Sequence, residues 1–395
     1  MKNKILYFII LCLIFLIFPL DNIKFNYTLS NRIENKYILL EKEYSNMNSY
    51  IYNLKHDIMI NNYQRFSSVD PKISIVIALY NGQNFIKRLL LSIYNQNFKE
   101  IEIIFVNDYS IDNSSSVINE YMKKDKRIKL YENKDNKGIL YSKSKGVLKS
   151  KGKYVMILDQ DDIYTQYDVF STLYYIAENK NLDILGFSFV FGYNNLTLIK
   201  GVPDRFFETP VLFQPKVFQM DHNITSNGEV KRMNLFLWNY FIRSDIFKKS
   251  IKQIDDKFMK TKMIAHDDFM LFFVLVRNAY KMQLIKRIFY ANIINTKKNY
   301  PNIKNPKNKE NAICNSLLNY IEFVLMKTNN TFHDKKIASF EFNQWYLNHN
   351  CRNNLFIRKK GIYVSNLFIK NKYIDKKVKA EIKFFLEKQN KKQLV

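Results

Sequence analysis

Residues 153–170, KYVMILDQDDIYTQYDVF, join an apolar run to a dense group of acids. The run 154–158 stops at three carboxylates within four positions, which are Asp159, Asp161 and Asp162. Carboxylates this close repel one another and raise the free energy unless a positive group lies between them. The stretch therefore predicts a buried strand that ends at a cation-binding loop.

The same alternation precedes this stretch along the chain. The run 73–79 is apolar and β-branched, which is typical of a buried strand, and 101–108 and 127–133 are predicted to be the second and third strands. Helical spacing follows each of these runs. Strands and helices that alternate in this way require right-handed crossovers. The sequence predicts an α/β fold with a Rossmann-like, mostly parallel sheet flanked by helices.

Polar side chains stand where the predicted strands end. Tyr80 and Asn81 follow the first strand, Asn107 and Asp108 close the second, and 159–162 follow the fourth. Ligands of parallel sheets bind beyond the carboxyl ends of the strands, so these residues are candidates for one site.

The acids after the fourth strand suit a hard divalent cation. Oxygen ligands select Mg²⁺ or Mn²⁺, which take substrate phosphates as further ligands. We therefore expect Asp161 to bridge a metal to a diphosphate. The alternative is an acidic loop that caps the next helix through Asp161 or Asp162.

Beyond residue 183 the pattern loosens. Residues 183–193 predict one strand or a pair, and 194–232 predict loops and short strands. Two segments, 233–251 and 265–279, have helical spacing. Residues 299–395 are basic and aromatic and are predicted to form a helical C-terminal region.

The formal charge of the 395-residue chain is +26, which raises the question of a nucleic-acid partner. Lysines are spread through every segment instead of gathering on one element, so we predict no nucleic-acid binding. Coding bias in an AT-rich genome explains the abundance of Lys, Asn, Ile and Tyr. A basic surface for anionic ligands or membrane phosphates is the alternative.

The N-terminus has the pattern of a targeting segment. Lys2 and Lys4 precede an uncharged apolar run at 5–20. No small-residue cleavage site follows, so residues 1–20 are predicted to be an uncleaved signal-anchor that crosses the membrane through 5–20. A cleaved signal peptide is the alternative. The expected location is the Golgi or endoplasmic reticulum membrane, as a single-pass type II protein with a lumenal catalytic domain.

Residues 21–66 are predicted to form a helical stalk. From Ile33 to Ile58 apolar residues recur in steps of four and three, which is typical of a coiled coil and of a homodimer. Packing of this stripe on the main domain is equally compatible with the pattern. Cys314 and Cys351 either form one disulfide in an oxidising lumen or remain two buried thiols.

Four strand-end motifs recur together and in order: "YN" at 80–81, "NDYS" at 107–110, "NKG" at 136–138 and "LDQDD" at 158–162. With them, residues 72–170 resemble the glycosyltransferase family 2 signature on a GT-A fold, and 230–295 resemble it more weakly. The resemblance implies a GT-A domain at 72–298. Its nucleotide-sugar half would be 72–190 and its acceptor half 191–298.

The resemblance also implies roles for the donor-side residues. Ala78 and Tyr80 would border the nucleotide base, and Asp108 would hydrogen-bond it. Asp159 would contact the ribose, while Asp161 would bind the metal with Asp162 in support. Lys143 stands where family members often carry Arg, and it supplies positive charge without a bidentate fork.

On the acceptor side the family uses an acid in an "ED"-like motif at a helix start as the base. The matching segment here is AHDDF, so Asp267 and Asp268 are both candidates. His266 stands where the family often has Glu, and helix capping is the alternative role for the two acids. Trp238 matches the segment whose aromatic ring stacks on an acceptor sugar, although ordinary core packing is equally compatible.

Taken together, the resemblance implies a metal-dependent inverting glycosyltransferase that uses Mn²⁺ or Mg²⁺. The donor would be a nucleotide-diphosphate sugar, with UDP as the expected nucleotide, and the acceptor a glycan, protein or lipid. A catalytically inactive relative that binds nucleotide sugar or glycan is the alternative. A nucleotidyltransferase is disfavoured, because YNGQNF after the first strand has one Gly and no basic residue.

Overall fold

The structure is a computed structural model. It describes residues 47, 49–50, 70–193, 196, 198–199, 208–214, 222–224, 230–232, 236–263, 265–294, 306–327, 362–367, 380 and 383. The predicted anchor at 1–20 lies outside these residues. Of the predicted stalk, residues 47, 49 and 50 are described and are helical. The anchor, the coiled coil and the membrane location therefore stay predictions.

Eight helices and twelve strands are named here, all within the described ranges. The helices are α1 Gln83–Tyr94, α2 Ser114–Lys124, α3 Ile139–Lys149, α4 Val169–Lys180, α5 Ser244–Ile251, α6 Asp256–Met259, α7 Asp267–Asn278 and α8 Pro306–Lys327. The strands are β1 Ile73–Leu79, β2 Ile101–Asn107, β3 Ile128–Glu132, β4 Tyr154–Ile157, β5 Ile163–Tyr164, β6 Ile184–Tyr193, β7 Leu198–Ile199, β8 Leu212–Phe213, β9 His222–Ile224, β10 Val230–Arg232, β11 Tyr240–Arg243 and β12 Lys281–Ile294.

The first four strands form the parallel half of the main sheet. β1 pairs in parallel with β2 and with β4, and β2 pairs in parallel with β3. Ile73 lies opposite both Ile101 and Tyr154, so β1 is the central strand of this half. The predicted strands and crossover helices are confirmed here. The carboxyl ends of β1, β2 and β4 consequently meet at one edge.

The other half of the sheet is mixed. The strand order is β3-β2-β1-β4-β11-β6-β12-β5, with β7 beside β6 and β8 beside β12. β11 is antiparallel to both β4 and β6, while β6 and β12 are parallel to each other. Six strands (β1, β2, β3, β4, β6 and β12) thus share one direction, and the reversed β11 lies between them. The expectation of a mostly parallel sheet holds for the direction of these six strands, but they do not form one continuous parallel sheet.

The helix predicted over 233–251 is wrong for its central part. Residues Leu237–Asn239 form a 3-10 turn, β11 follows, and the helix begins only at Ser244. Tyr240 and Phe241 of this segment are buried on β11, between β4 and β6. Pairing with two strands overrides the local helical spacing. The helix predicted over 265–279 is confirmed by α7.

Side chains of β1 alternate between two cores, one on each face of the sheet. Ile75 and Ile77 belong to the core that also contains residues of α1 and α4. Val76 belongs to the opposite core, which contains residues of α3, α5, α7 and α8. Helix α7 therefore packs in the same core as α3.

The C-terminal region contributes a long helix to this second core. Apolar side chains of α8 from Leu317 to Val324 are buried against it, and residues 362–367 are also helical. Cys314 on α8 is disulfide-bonded, whereas Cys351 lies outside the described residues. Among the helices in the described ranges, none combines the length and the apolarity needed to cross a membrane.

Candidate active site

The loop after β1 is joined to the DQDD loop by a glutamine. The backbone amide of Tyr80 donates to Oε1 of Gln160 at 2.9 Å, and Nε2 of Gln160 donates to the Tyr80 carbonyl at 3.2 Å. The side chain thus pairs with the Tyr80 backbone as a neighbouring strand would. Ala78 and Tyr80 are both partly exposed at this edge. Gln160 was missed in the sequence because its partner is 80 positions away.

Asp108, at the end of β2, holds the next loop. Its Oδ1 accepts from Asn133 Nδ2 and from the Lys137 amide, both at 2.8 Å, and its Oδ2 accepts from the Gly138 amide at 2.8 Å. Gly138 has a φ of +92°, which favours glycine, and it directly precedes α3. Asp108 therefore fixes the start of α3. Its expected contact with the nucleotide base stays a prediction.

Asp162 is tied to β12. Its Oδ2 accepts from the Tyr290 hydroxyl at 2.6 Å and from Asn292 Nδ2 at 3.0 Å, and its Oδ1 accepts from the Ile293 amide at 2.7 Å. Burial, with Asp161 and Asp159 nearby, raises the pKa of Asp162 well above its ordinary value. Asp162 was expected to support Asp161 at the metal. Its hydrogen bonds to β12, which hold the DQDD loop in place, are compatible with that role. The sequence pattern contained no signal for Tyr290 or Asn292.

Asp161 lies between the other two acids and is partly exposed. Its backbone carbonyl accepts a 2.6 Å hydrogen bond from the guanidinium of Arg88 on α1. Burial lowers the pKa of Arg88, and the carboxylates of Asp161 and Asp162 oppose that change. Arg88 is therefore one positive group beside the acidic loop. A basic residue in the helix after the first strand was the only sequence signal for it.

Lys143 is the second positive group, and it projects from α3. Its ammonium lies 2.7 Å from Oδ1 of Asp268, 3.0 Å from Oδ2 of Asp267 and 3.5 Å from Oδ1 of Asp159. Lys143 is 2% exposed. The structure thus brings the first acid of the DQDD loop and both acids at the start of α7 to one buried cation.

The charges of this cluster are unequally distributed. Burial alone would lower the pKa of Lys143, but the three carboxylates raise it well above the ordinary value, so the ammonium is charged. Burial raises the pKa of Asp267, but Lys143 outweighs it and the net pKa is lowered. Burial, Asp267 and Asp159 together raise the pKa of Asp268 well above its ordinary value despite Lys143. Asp268 is the acid of the pair that holds a proton more readily.

Trp238 is buried in an aromatic stack beside the site. Its ring stacks on Tyr290 with centroids 4.5 Å apart and on Phe236 with centroids 5.1 Å apart. Trp238 is 3% exposed, whereas Phe236 is 41% exposed. A sugar would meet Phe236 before Trp238, and the acceptor role expected for Trp238 stays a prediction.

A divalent cation would find oxygen ligands here but no complete cage. Within the described ranges, no group of three or more His, Cys, Asp or Glu side chains is arranged to hold a metal ion. Magnesium-type ions commonly use one or two carboxylates and complete their shell with substrate phosphates and water. Asp161, with Asp159 beside it, fits this mode of binding.

Comparison with known proteins agrees with this geometry. The sequence model described as "Glycosyl transferase family 2" matches residues 74–235, the segment that contains the DQDD loop and Lys143. Residues 74–235 form a glycosyltransferase family 2 domain. The resemblance seen in the sequence is thereby confirmed, and the domain is that of an enzyme.

Curated relatives of this glycosyltransferase domain come from bacteria and archaea. The uncharacterized glycosyltransferase EpsJ of Bacillus subtilis is 28% identical over 186 residues, which cover 47% of this chain and 52% of that protein. The uncharacterized glycosyltransferase MJ1057 of Methanocaldococcus jannaschii is 27% identical over 238 residues, covering 58% and 73%. Glycosyltransferase GlyA of Streptococcus pneumoniae is 38% identical over 106 residues, covering 27% and 15%. The chain thus spans about half of the length of EpsJ and a smaller share of GlyA.

Solved structures share the fold. TarS residues 1–349 of S. aureus, in complex with UDP-GlcNAc, superimpose with a TM-score of 0.57 at 16% identity, covering 78% of this chain and 83% of that one. The same TarS segment in complex with UDP gives a TM-score of 0.54. The glycosyltransferase domain therefore has the GT-A type of α/β fold, with its mixed sheet and flanking helices.

Proposed function

We propose that the chain is a metal-dependent, inverting glycosyltransferase that transfers a sugar from a nucleotide-diphosphate donor to a hydroxyl group of its acceptor. The bound UDP-GlcNAc and UDP of the TarS structures support a UDP-sugar as the donor. The carboxyl edge of the parallel strands, bordered by Ala78, Tyr80 and the DQDD loop, is where the nucleotide would bind.

One observation carries this proposal. Asp159 and Asp268 are 109 positions apart in the sequence, yet both contact the ammonium of Lys143. Under this proposal a donor-side acid and an acceptor-side acid would face one reaction centre. Inverting sugar transfer needs groups on both sides of the reacting carbon, because the acceptor hydroxyl loses its proton on the face opposite the one from which the diphosphate departs.

Asp161 would hold Mn²⁺ or Mg²⁺, with Asp159 as a second oxygen ligand. When bound, such an ion takes up negative charge that develops on the leaving diphosphate. Asp162 would keep the loop in place through its three hydrogen bonds to β12.

Asp268 is the proposed base. Its carboxylate would accept the acceptor proton, and its raised pKa makes it a stronger base than an ordinary aspartate once it is ionised. Asp267, whose pKa is lowered, stays ionised and balances the charge of Lys143. The aromatic stack that ends at Phe236 would form one wall of the acceptor side.

The test is nucleotide release from a panel of nucleotide sugars by the full chain, with Mn²⁺ and then with EDTA. Metal-dependent release of one nucleotide is the expected result and names the donor. Absence of release, together with absence of metal-dependent nucleotide binding, would contradict the proposed activity. Binding without release, even with candidate acceptors present, would point to the inactive relative.

A further inference from the structure

The ammonium of Lys143 is buried more deeply than the carboxylates around it. The exposed fraction of the side chain is 29% for Asp159, 12% for Asp268 and 2% for Lys143. A ligand that enters from solvent therefore meets Asp159 and Asp268 before it meets the ammonium. This order argues against a direct contact between Lys143 and the donor, the role that the family resemblance implied.

The position of the ammonium is set by how α3 is held. Asp108 binds the amide of Gly138 directly before the helix, and the Ser142 hydroxyl accepts from Asn133. On the same helix, a Cβ at Gly146 would lie only 2.3 Å from Cγ1 of Val76, so α3 packs very closely against β1. These contacts fix where α3 begins and how closely it packs against the sheet.

From this geometry we propose that Lys143 is a positioning residue for the base. Its ammonium joins Asp159 on the donor side to Asp268 on the acceptor side. The carboxylate that takes the acceptor proton is thereby held at a fixed distance from the donor. This inference rests on the proposed glycosyltransferase function.

A lysine suits this position better than an arginine. The ammonium is a compact point charge with three donors, and three carboxylate oxygens from two parts of the chain surround it. A planar guanidinium presents its donors in one plane and at fixed directions, which matches a bidentate carboxylate better than three carboxylates around one point. Replacement by Arg should therefore preserve the charge and only part of the geometry.

The experiment compares the full-length wild type with Lys143→Met, Lys143→Arg and the control Lys149→Met. Lys149 is an exposed lysine on the same helix. Each protein is assayed with the nucleotide sugar that the wild type hydrolyses fastest, with water as the acceptor. Binding of the matching nucleotide diphosphate with Mn²⁺ is measured by calorimetry.

For Lys143→Met we expect kcat to fall about 100-fold or more, the scale of a misplaced base, while the Kd of the nucleotide stays within about threefold. The groups that face Asp268 are Lys143, Asp267 and Asp159. Loss of the cation should therefore move the acidic limb of the kcat profile to higher pH. The kcat of Lys143→Arg should be at least about tenfold higher than that of Lys143→Met, and Lys149→Met should match the wild type.

Two results with Lys143→Met would overturn the inference. A nucleotide Kd weakened tenfold with kcat unchanged would make Lys143 a donor-binding residue. An acidic limb that does not move would make its role purely structural. If Lys143→Met does not fold, Lys143→Arg decides: the inference predicts a lower kcat with the nucleotide Kd unchanged, and a wild-type kcat would overturn it. A wild type that neither turns over nor binds any nucleotide sugar would overturn the proposed function itself, which separates the two failures.

Discussion

The hydroxyl of Tyr290 donates a 2.6 Å hydrogen bond to Oδ2 of Asp162 and so joins the DQDD loop to β12. The Tyr290 ring also stacks on Trp238. One side chain therefore contacts both the acidic loop and the aromatic stack. Three hydrogen bonds hold the Asp162 carboxylate to β12, which leaves the partly exposed Asp161 as the acid better placed to meet a ligand.

Removing this hydroxyl should loosen the loop. In Tyr290→Phe the buried carboxylate of Asp162 loses one of its three donors, so the free energy of unfolding should fall by about 1–3 kcal/mol. Urea unfolding measures this change. Tyr280→Phe is the control, because Tyr280 is an exposed tyrosine that directly precedes β12. Equal effects of the two substitutions would show that the bond to Asp162 does not stabilise the fold.

Asp161→Ala should separate activity from stability. Arg88 binds the backbone carbonyl of Asp161, and that bond does not require the Asp161 carboxylate. The variant should therefore keep its fold but lose about 100-fold or more of its metal-dependent turnover. Nucleotide release over a Mn²⁺ titration, beside circular dichroism, tests both parts. Normal turnover in this variant would remove Asp161 from the metal site.

Local patterns were enough to predict the parallel half of the sheet. Runs such as 73–79 and 101–108 are mostly apolar because both faces of these strands are buried, and that signal needs no long-range information. The strand-end acids followed from topology. The same local reasoning failed at β11, where two neighbouring strands decide the conformation of an aromatic segment.

The contacts that complete the site could not be predicted from local patterns. Gln160 meets Tyr80 across 80 positions, and Arg88 meets Asp161 across 73. Each contact depends on which loops the sheet brings together. Lys143 was identified only by its place in a family motif, and its partners on α7 became visible only in the folded chain.

The pH dependence should identify the base. Burial raises the pKa of Asp268, so its carboxylate is protonated, and the rate falls, as pH decreases through a value above the ordinary range for aspartate. Asp268→Asn should lower transfer by about 100-fold or more at every pH, whereas Asp267→Asn should keep more activity. Rates across the pH range measure this difference. A larger loss in Asp267→Asn would exchange the two roles.

Asp268→Asn also tests how the protonation of Asp268 affects the stability of the fold. A raised pKa in the folded state means that the folded protein binds a proton which the unfolded chain releases. The contribution of Asp268 is therefore complete below its unfolded pKa and is lost as pH rises through the folded value. Relative to Asp268→Asn, the wild type should lose free energy of unfolding from a mildly acidic to a mildly alkaline pH. Urea unfolding at both pH values is the measurement, and parallel changes in the two proteins would contradict the raised pKa.

The aromatic stack offers a test that distinguishes acceptor binding from core packing. Phe236 is the exposed end of the stack, so Phe236→Ala should weaken acceptor binding with little loss of stability. Trp238→Ala would leave a cavity between Phe236 and Tyr290, and the free energy of unfolding should fall by about 3–5 kcal/mol. Thermal unfolding and the acceptor KM, measured for both variants, separate the two effects. Phe236→Ala could leave the acceptor KM unchanged while a folded Trp238→Phe variant raises it. That result would show that Trp238, and not Phe236, contacts the acceptor.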